Sequence, residues 1–214
     1  MEKKKTVIEF FELFIKNYLV GDVLVLDRIK SEEANACTIP QAMAVLSGID
    51  LLGYLLGKDK DTDASKKHFS EFFHIVNNPI INDHYNEEII KKLVLYRNGM
   101  MHHFFPKFST NDFGICKNES QDLFIWEVFN NVKIESLNVS VLTRDFLLIV
   151  SFIENLIYEN SEEIFFDNIL NAIPKIEISN MLVPTTTNIT TACIIARNKR
   201  KKSSLFFLSS FNPA

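Results

Sequence analysis

The chain predicts a mainly α-helical bundle with a small β-hairpin insertion. Three observations carry this. Apolar residues recur three and four apart through most of the first 173 positions, the period of helices with one buried face. Only six Gly and six Pro occur in 214 residues, too few for a turn-rich β-sandwich. Nineteen Phe within a 47% hydrophobic composition supply enough apolar volume for a substantial core.

The elements follow in order. Lys4 to Val20 reads as an amphipathic helix, with Val7, Ile8, Phe11, Phe14, Ile15 and Leu19 on one side and Gly21 as its stop. Val23 to Ile29 is either a turn of helix or a connector. Thr38 followed by Pro40 starts a second long helix, because Pro suits the first helical turn. It runs to about Leu56, with Ala42, Leu46, Ile49, Leu52 and Leu56 inward. Gly57 to Asp61 is a solvated loop. Ser65 to Val76 forms a third helix, with Phe69, Phe72, Phe73 and Val76 inward, ended by Asn77-Asn78-Pro79. Asn86 caps a fourth helix, where Glu87 and Glu88 suit the positive end of the helix dipole.

Asp122 to Glu127 and Lys133 to Leu142 read as strands, and the alternation over Leu137 to Val141 predicts a hairpin. Thr143 then caps a helix to about Glu159, and a last helix spans Glu162 to Ile173, ended by Pro174. The expected organisation is one domain over 1–183. A Thr-rich and then basic tail follows over 184–214, of the kind that is usually solvated and disordered.

The longest apolar stretch, Ala42 to Gly57, is broken by Asp50, so no segment reaches the roughly 18 residues of a membrane span. Glu9, Glu12 and Lys16 break the apolar region that a signal peptide would need. A cytoplasmic protein that does not enter membranes is expected. The net charge of -4 is uneven. The last thirty residues hold five of the 23 basic residues and no acid, so the other 184 carry 18 basic against 27 acidic, or -9. An acidic body makes a poor general clamp on nucleic acid, so any RNA contact is a small local site or the tail.

Cys37, Cys116 and Cys193 form no CxxC pair and read as buried, inert thiols. The Asn-x-Ser/Thr triplets at Asn118, Asn138 and Asn188 read as chance. His68, His74 and His84 lack metal-ligand spacing, and His68 and His74 read as surface or boundary residues. Trp126, in an expected strand, reads as packing rather than as a base-stacking platform. No phosphate-binding Gly-rich loop, Ser-His-Asp order or paired-carboxylate motif is present, so those chemistries have no support.

One segment stands out, Tyr96-Arg97-Asn98-Gly99-Met100-Met101-His102-His103-Phe104-Phe105-Pro106-Lys107. On a continuous helix, Ile90, Leu93, Met101 and Phe104 lie within about 40° of Arg97. An arginine centred on an apolar stripe keeps its charge and needs a partner: a carboxylate, a second subunit or a ligand phosphate. Ser47, Asp50 and Tyr54 make a narrow polar stripe on the second long helix. It is either a solvated face, the plainer reading, or places Asp50 opposite Arg97. His102 and His103 lie about 140° and 120° around the axis from Arg97. Convergence within one chain therefore needs a helix break, for which Asn98-Gly99 is the natural place. Convergence across a two-fold dimer needs none. Pro106 reads as the helix stop and Lys107 as a loop cation.

Arg97, the polar Asn98 and a His after a spacer of four or five resemble the R-x(4–6)-H signature of HEPN domains, within a helical setting that also resembles that family. The resemblance covers 38–106 and implies a helical bundle that dimerises around the motif. It further implies, in many members, a metal-independent endoribonuclease of toxin–antitoxin or antiphage systems, with RNA as substrate, an antitoxin protein as partner and no cofactor or metal. By the resemblance, Arg97 would hold the scissile phosphate, Asn98 would orient the phosphate or a ribose hydroxyl, and His102 or His103 would move a proton, with His102 favoured. Other members are non-catalytic binding or scaffolding modules. That is the alternative here, with Arg97 paired internally, for instance to Asp50.

Overall fold

The computed structural model describes residues 2–29, 37–57, 65–77, 79–103, 113–129 and 131–173. These lie in one compact unit, Met1–Ile173. The expected tail over 184–214, with Cys193, Asn188 and the basic cluster, lies outside the described residues, as do 174–183, Phe104 to Lys107 and the loop after Gly57. The mainly α architecture with a small sheet is present. Its elements are α1 (Glu2–Phe10), a π-helical stretch (Phe11–Val20), α2 (Gly21–Arg28), α3 (Thr38–Leu56), α4 (Ser65–His74), α5 (Pro79–His84) and α6 (Glu87–His103). Then follow β1 (Phe113–Cys116), β2 (Phe124–Phe129), β3 (Val132–Asn138), α7 (Val139–Glu159) and α8 (Glu163–Ala172).

Gly21 is not a stop. Its φ of -57° and ψ of -47° are helical, and its N–H returns to the Lys16 carbonyl five residues back, the hydrogen bond of a wide π turn. Helix therefore runs on from α1 into α2, where a connector was the alternative. Lys16 ties this rod to α7 by an ion pair to Glu154 (2.6 Å), and it also pairs along its own helix with Glu12 (3.1 Å).

α3 is the hub, touching α2, α4, α6, α7, α8 and β1. Ala42, Leu46, Ile49 and Leu52 are buried as the periodicity requires, and so are Val45 and Leu55. The N-cap position is Cys37, whose φ of 72° is left-handed. Contrary to the sequence expectation, α3 is long and apolar enough to cross a membrane by length and composition, the one such helix among the described residues. Half of that window is buried inside the fold, however, and Asp50 is paired there with groups from two other helices. Phe69, Phe72 and Phe73 of α4 are fully buried, and Phe72 stacks on Phe146 of α7 at 5.8 Å.

The expected hairpin is β2 and β3, antiparallel with Trp126 opposite Glu135. A third strand joins it, since β1 pairs parallel to β3 and gives the order β1-β3-β2. The strand reading of Lys133 to Leu142 extends too far, because helix α7 begins at Val139. Its cap is Asn138, whose side chain accepts from the Ser140 N–H (3.2 Å). Thr143 lies inside α7, buried, and accepts from the Gln41 amide (2.8 Å). Trp126 is 56% exposed rather than packed, with the Lys133 ammonium 4.5 Å above its ring. Cys37 and Cys116 are free and half-buried rather than buried.

Candidate functional site: an arginine–aspartate–histidine cluster

Asn86 starts α6 as expected, accepting from the N–H groups of Glu88 (3.0 Å) and Ile89 (3.1 Å). Ile90, Leu93, Tyr96 and Met100 then form the buried face. The sheet fixes this helix from one side. Lys92 pairs with Glu135 at 3.1 Å, and the Tyr96 hydroxyl donates to the Glu135 carbonyl at 3.1 Å. Burial, with Glu135 close by, pushes Tyr96 ionisation well above the usual tyrosine range. Lys92 also lies 5.1 Å from the Phe124 ring.

Arg97 falls within this inward arc, about 40° from Leu93, and its side chain is 25% exposed. Of the neighbours expected around it, Ile90 and Leu93 are buried, whereas Met101 is 47% exposed beside Ser47. Nη2 of Arg97 donates to Asp50 Oδ2 at 2.7 Å, and Nη1 donates to Asn98 Oδ1 at 3.0 Å. Nε is buried and has no hydrogen-bond partner among the described residues. Asp50 is therefore the carboxylate that Arg97 requires, and the solvated-face reading of the Ser47–Asp50–Tyr54 stripe does not hold, since Asp50 is only 13% exposed.

The second oxygen of Asp50 meets His68 of α4. Oδ1 lies 2.9 Å from Nδ1, and the His68 side chain is 4% exposed. A carboxylate only accepts, so Nδ1 carries the proton in this contact. His68 is thus neither surface nor boundary. The Tyr54 ring stands edge-on to the imidazole at 5.4 Å. Local packing explains the placement: a Cβ on Gly53 would overlap the His68 carbonyl, so only glycine lets α4 approach α3 this closely. His74 and His84 are exposed, as expected for His74.

α6 continues without a break through Asn98 and Gly99 to His103. The break that would bring Arg97 and a following histidine together within one chain is therefore not made. The side chains of His102 and His103 lie outside the described part. By backbone position they sit about 140° and 120° around α6 from Arg97. The structure instead brings Arg97 to Asp50, Asn98 and His68. From sequence His68 stands at the edge of the Phe-rich face of α4, about 40° from Phe72 but about 100° from Phe69, so helical phase alone does not separate a boundary position from a buried one.

These features define a class: a mainly helical domain with a small mixed sheet, built around a three-helix cluster of arginine, aspartate and histidine. The chain matches no protein-family model, no curated protein and no solved structure.

Proposed function

We propose that this chain is a HEPN-like protein that cleaves RNA as a homodimer without a metal ion. The observation that carries the reading is the setting of Arg97. It is held on two sides, by Asp50 and Asn98, while a quarter of its side chain reaches the surface. One N–H on each terminal nitrogen has no bond among the described residues, so a phosphate can be gripped without releasing Asp50.

In this mechanism the ribose 2′-hydroxyl attacks the adjacent phosphorus and gives its proton to an imidazole. The bond to the 5′ oxygen then breaks, and that oxygen takes the proton back from the imidazolium. The products are a 2′,3′-cyclic phosphate and a 5′-hydroxyl. Arg97 stabilises the charge growing on the phosphoryl oxygens. The imidazole is His102 or His103, and because α6 is unbroken it comes from the second subunit. Imidazole suits the role because its ordinary pKa lies near neutral pH.

A second reading is favoured by the same ion pair. Asp50 at 2.7 Å already neutralises much of the Arg97 charge, which suits a non-catalytic binding or scaffolding module. Cleavage of total and synthetic RNA in EDTA separates the two. The wild type should cut, while Arg97→Ala and a His102→Ala/His103→Ala double variant, each folded by circular dichroism, should lose about 10²-fold or more in kcat. No cleavage by the wild type would leave the module. Equal cleavage by all three would mean a contaminating nuclease and no support for this site.

A further inference from the structure

We infer that His68 is a positioning residue for Arg97, acting through Asp50. For its catalytic consequence the inference rests on the ribonuclease reading above. His68 cannot touch RNA, because its side chain is 4% exposed and lies under α3 and α6. Yet it holds one oxygen of a carboxylate whose other oxygen holds Arg97, at 2.9 and 2.7 Å.

The buried end of this chain of contacts is held by the core. His68 precedes Phe69, Phe72 and Phe73, all fully buried, and its backbone is pressed against Gly53. The imidazole is therefore fixed by the core. Asp50 is fixed by the imidazole, since a carboxylate bonded at one oxygen alone can still rotate about its terminal torsion. Arg97, at the partly open end, then takes its orientation from Asp50 and Asn98. Its Nε–H is buried and has no acceptor among the described residues, so its burial reports how the guanidinium is held. Misplacing a phosphate-holding cation by about an ångström is enough to lose about 100-fold in rate.

The test uses the full chain with His68→Leu, which removes the donor, and His68→Asn, whose amide nitrogen sits close to where Nδ1 was. Two readouts are taken together. One is hydrogen exchange at Arg97 Nε by nitrogen-15 NMR, assigned with Arg97→Lys among the five arginines. The other is kcat and KM for RNA cleavage. The leucine variant should speed Nε exchange at least about tenfold and lower kcat by about 10- to 100-fold, with a smaller change in KM. His68→Asn should restore both. If His68→Leu does not fold, His68→Phe, a planar ring without a donor, takes its place. Unchanged Nε exchange in the donor-deficient variant overturns the inference, and so does an asparagine variant no better than leucine. A wild type that cleaves no RNA sinks the ribonuclease reading alone, because the exchange at Arg97 still decides whether His68 positions it.

Discussion

Asn138 is fully buried at the junction of β3 and α7, and it binds that junction together. Its side-chain oxygen accepts from the N–H groups of Asn118 and Ser140, both at 3.2 Å. Its amide protons are shared among the carbonyls of Asn118, Ser120 and Asp122 at 3.1–3.2 Å. Alanine would leave several part-buried backbone groups without partners and remove a helix cap. Asn138→Ala should therefore cost about 2–4 kcal/mol, seen as a lower urea midpoint with an unchanged slope. Cys116 gives a pH prediction. Burial, with Glu127 nearby, pushes its thiol from 9.0 up to about 11. The neutral thiol is the form that folds, so its contribution is intact below about pH 9, where the unfolded thiol begins to ionise, and falls as pH rises towards 11. Urea titrations at pH 8, 9 and 10 should show stability declining, and Cys116→Ala should flatten the decline between pH 9 and 10. Single residues also mark how far sequence reaches. Arg97 was legible because a permanent charge on an apolar stripe demands a partner, and Asp50 was named among the candidates. His68 reads from sequence as flanking the Phe-rich face of its helix, a surface or boundary position, and its burial follows from the close approach of α4 to α3 at Gly53. Helical phase tells which side of its own helix a residue occupies, but not which helix meets that side.

Most helix bodies followed directly from periodicity, because burying one face dictates a 3.6-residue repeat whatever the tertiary arrangement. α3 ends at Leu56 where expected, and Asn86 caps α6. Boundaries failed where tertiary contacts outrank local preference. Gly21 stays helical because the rod packs through to Val23, which is fully buried. The alternation over Leu137 to Val141 resembles a strand, but Asn138 is recruited as a cap and turns the chain into α7. β1 has only four residues and gains its identity by pairing with β3, which no local pattern announces. Helix-against-helix spacing is set at Gly53, which was not singled out from sequence. A methyl there would collide with the backbone carbonyl of His68, which, unlike a flexible side chain, cannot swing aside. Gly53→Ala should push α4 from α3, destabilise by about 3 kcal/mol and lengthen the His68–Asp50 contact. Thermal melts would show the first effect. The NMR resonance of the His68 Nδ1 proton would report the second, and an unshifted resonance in a destabilised protein would show that the cluster does not depend on this spacing.

At the scale of the whole molecule, the unbroken α6 bears directly on the proposed mechanism. Arg97 faces inward towards α3, while His102 and His103 occupy other sides of the same helix by backbone position. Under the ribonuclease reading proposed above, one subunit would supply the cation and the other the imidazole. With residues 1–184 at 18 basic against 27 acidic, the body is a poor general clamp on RNA, and affinity comes from a small local site or from the basic tail. This arrangement predicts complementation. Arg97→Ala and the His102→Ala/His103→Ala variant should each be inactive alone. After co-refolding in equal amounts, about half of the dimers are mixed. Each mixed dimer has one site lacking both groups and one site with an intact Arg97 and intact histidines, so the mixture should regain about a quarter of wild-type cleavage. The recovery should disappear on dilution below the dimer dissociation constant and return on concentration. A wild type that cleaves RNA while the mixture stays silent would mean that arginine and histidine act from the same chain, and that α6 must break at Asn98-Gly99 when RNA binds. A wild type that remains a monomer by light scattering at high micromolar concentration would remove the dimer from the mechanism altogether.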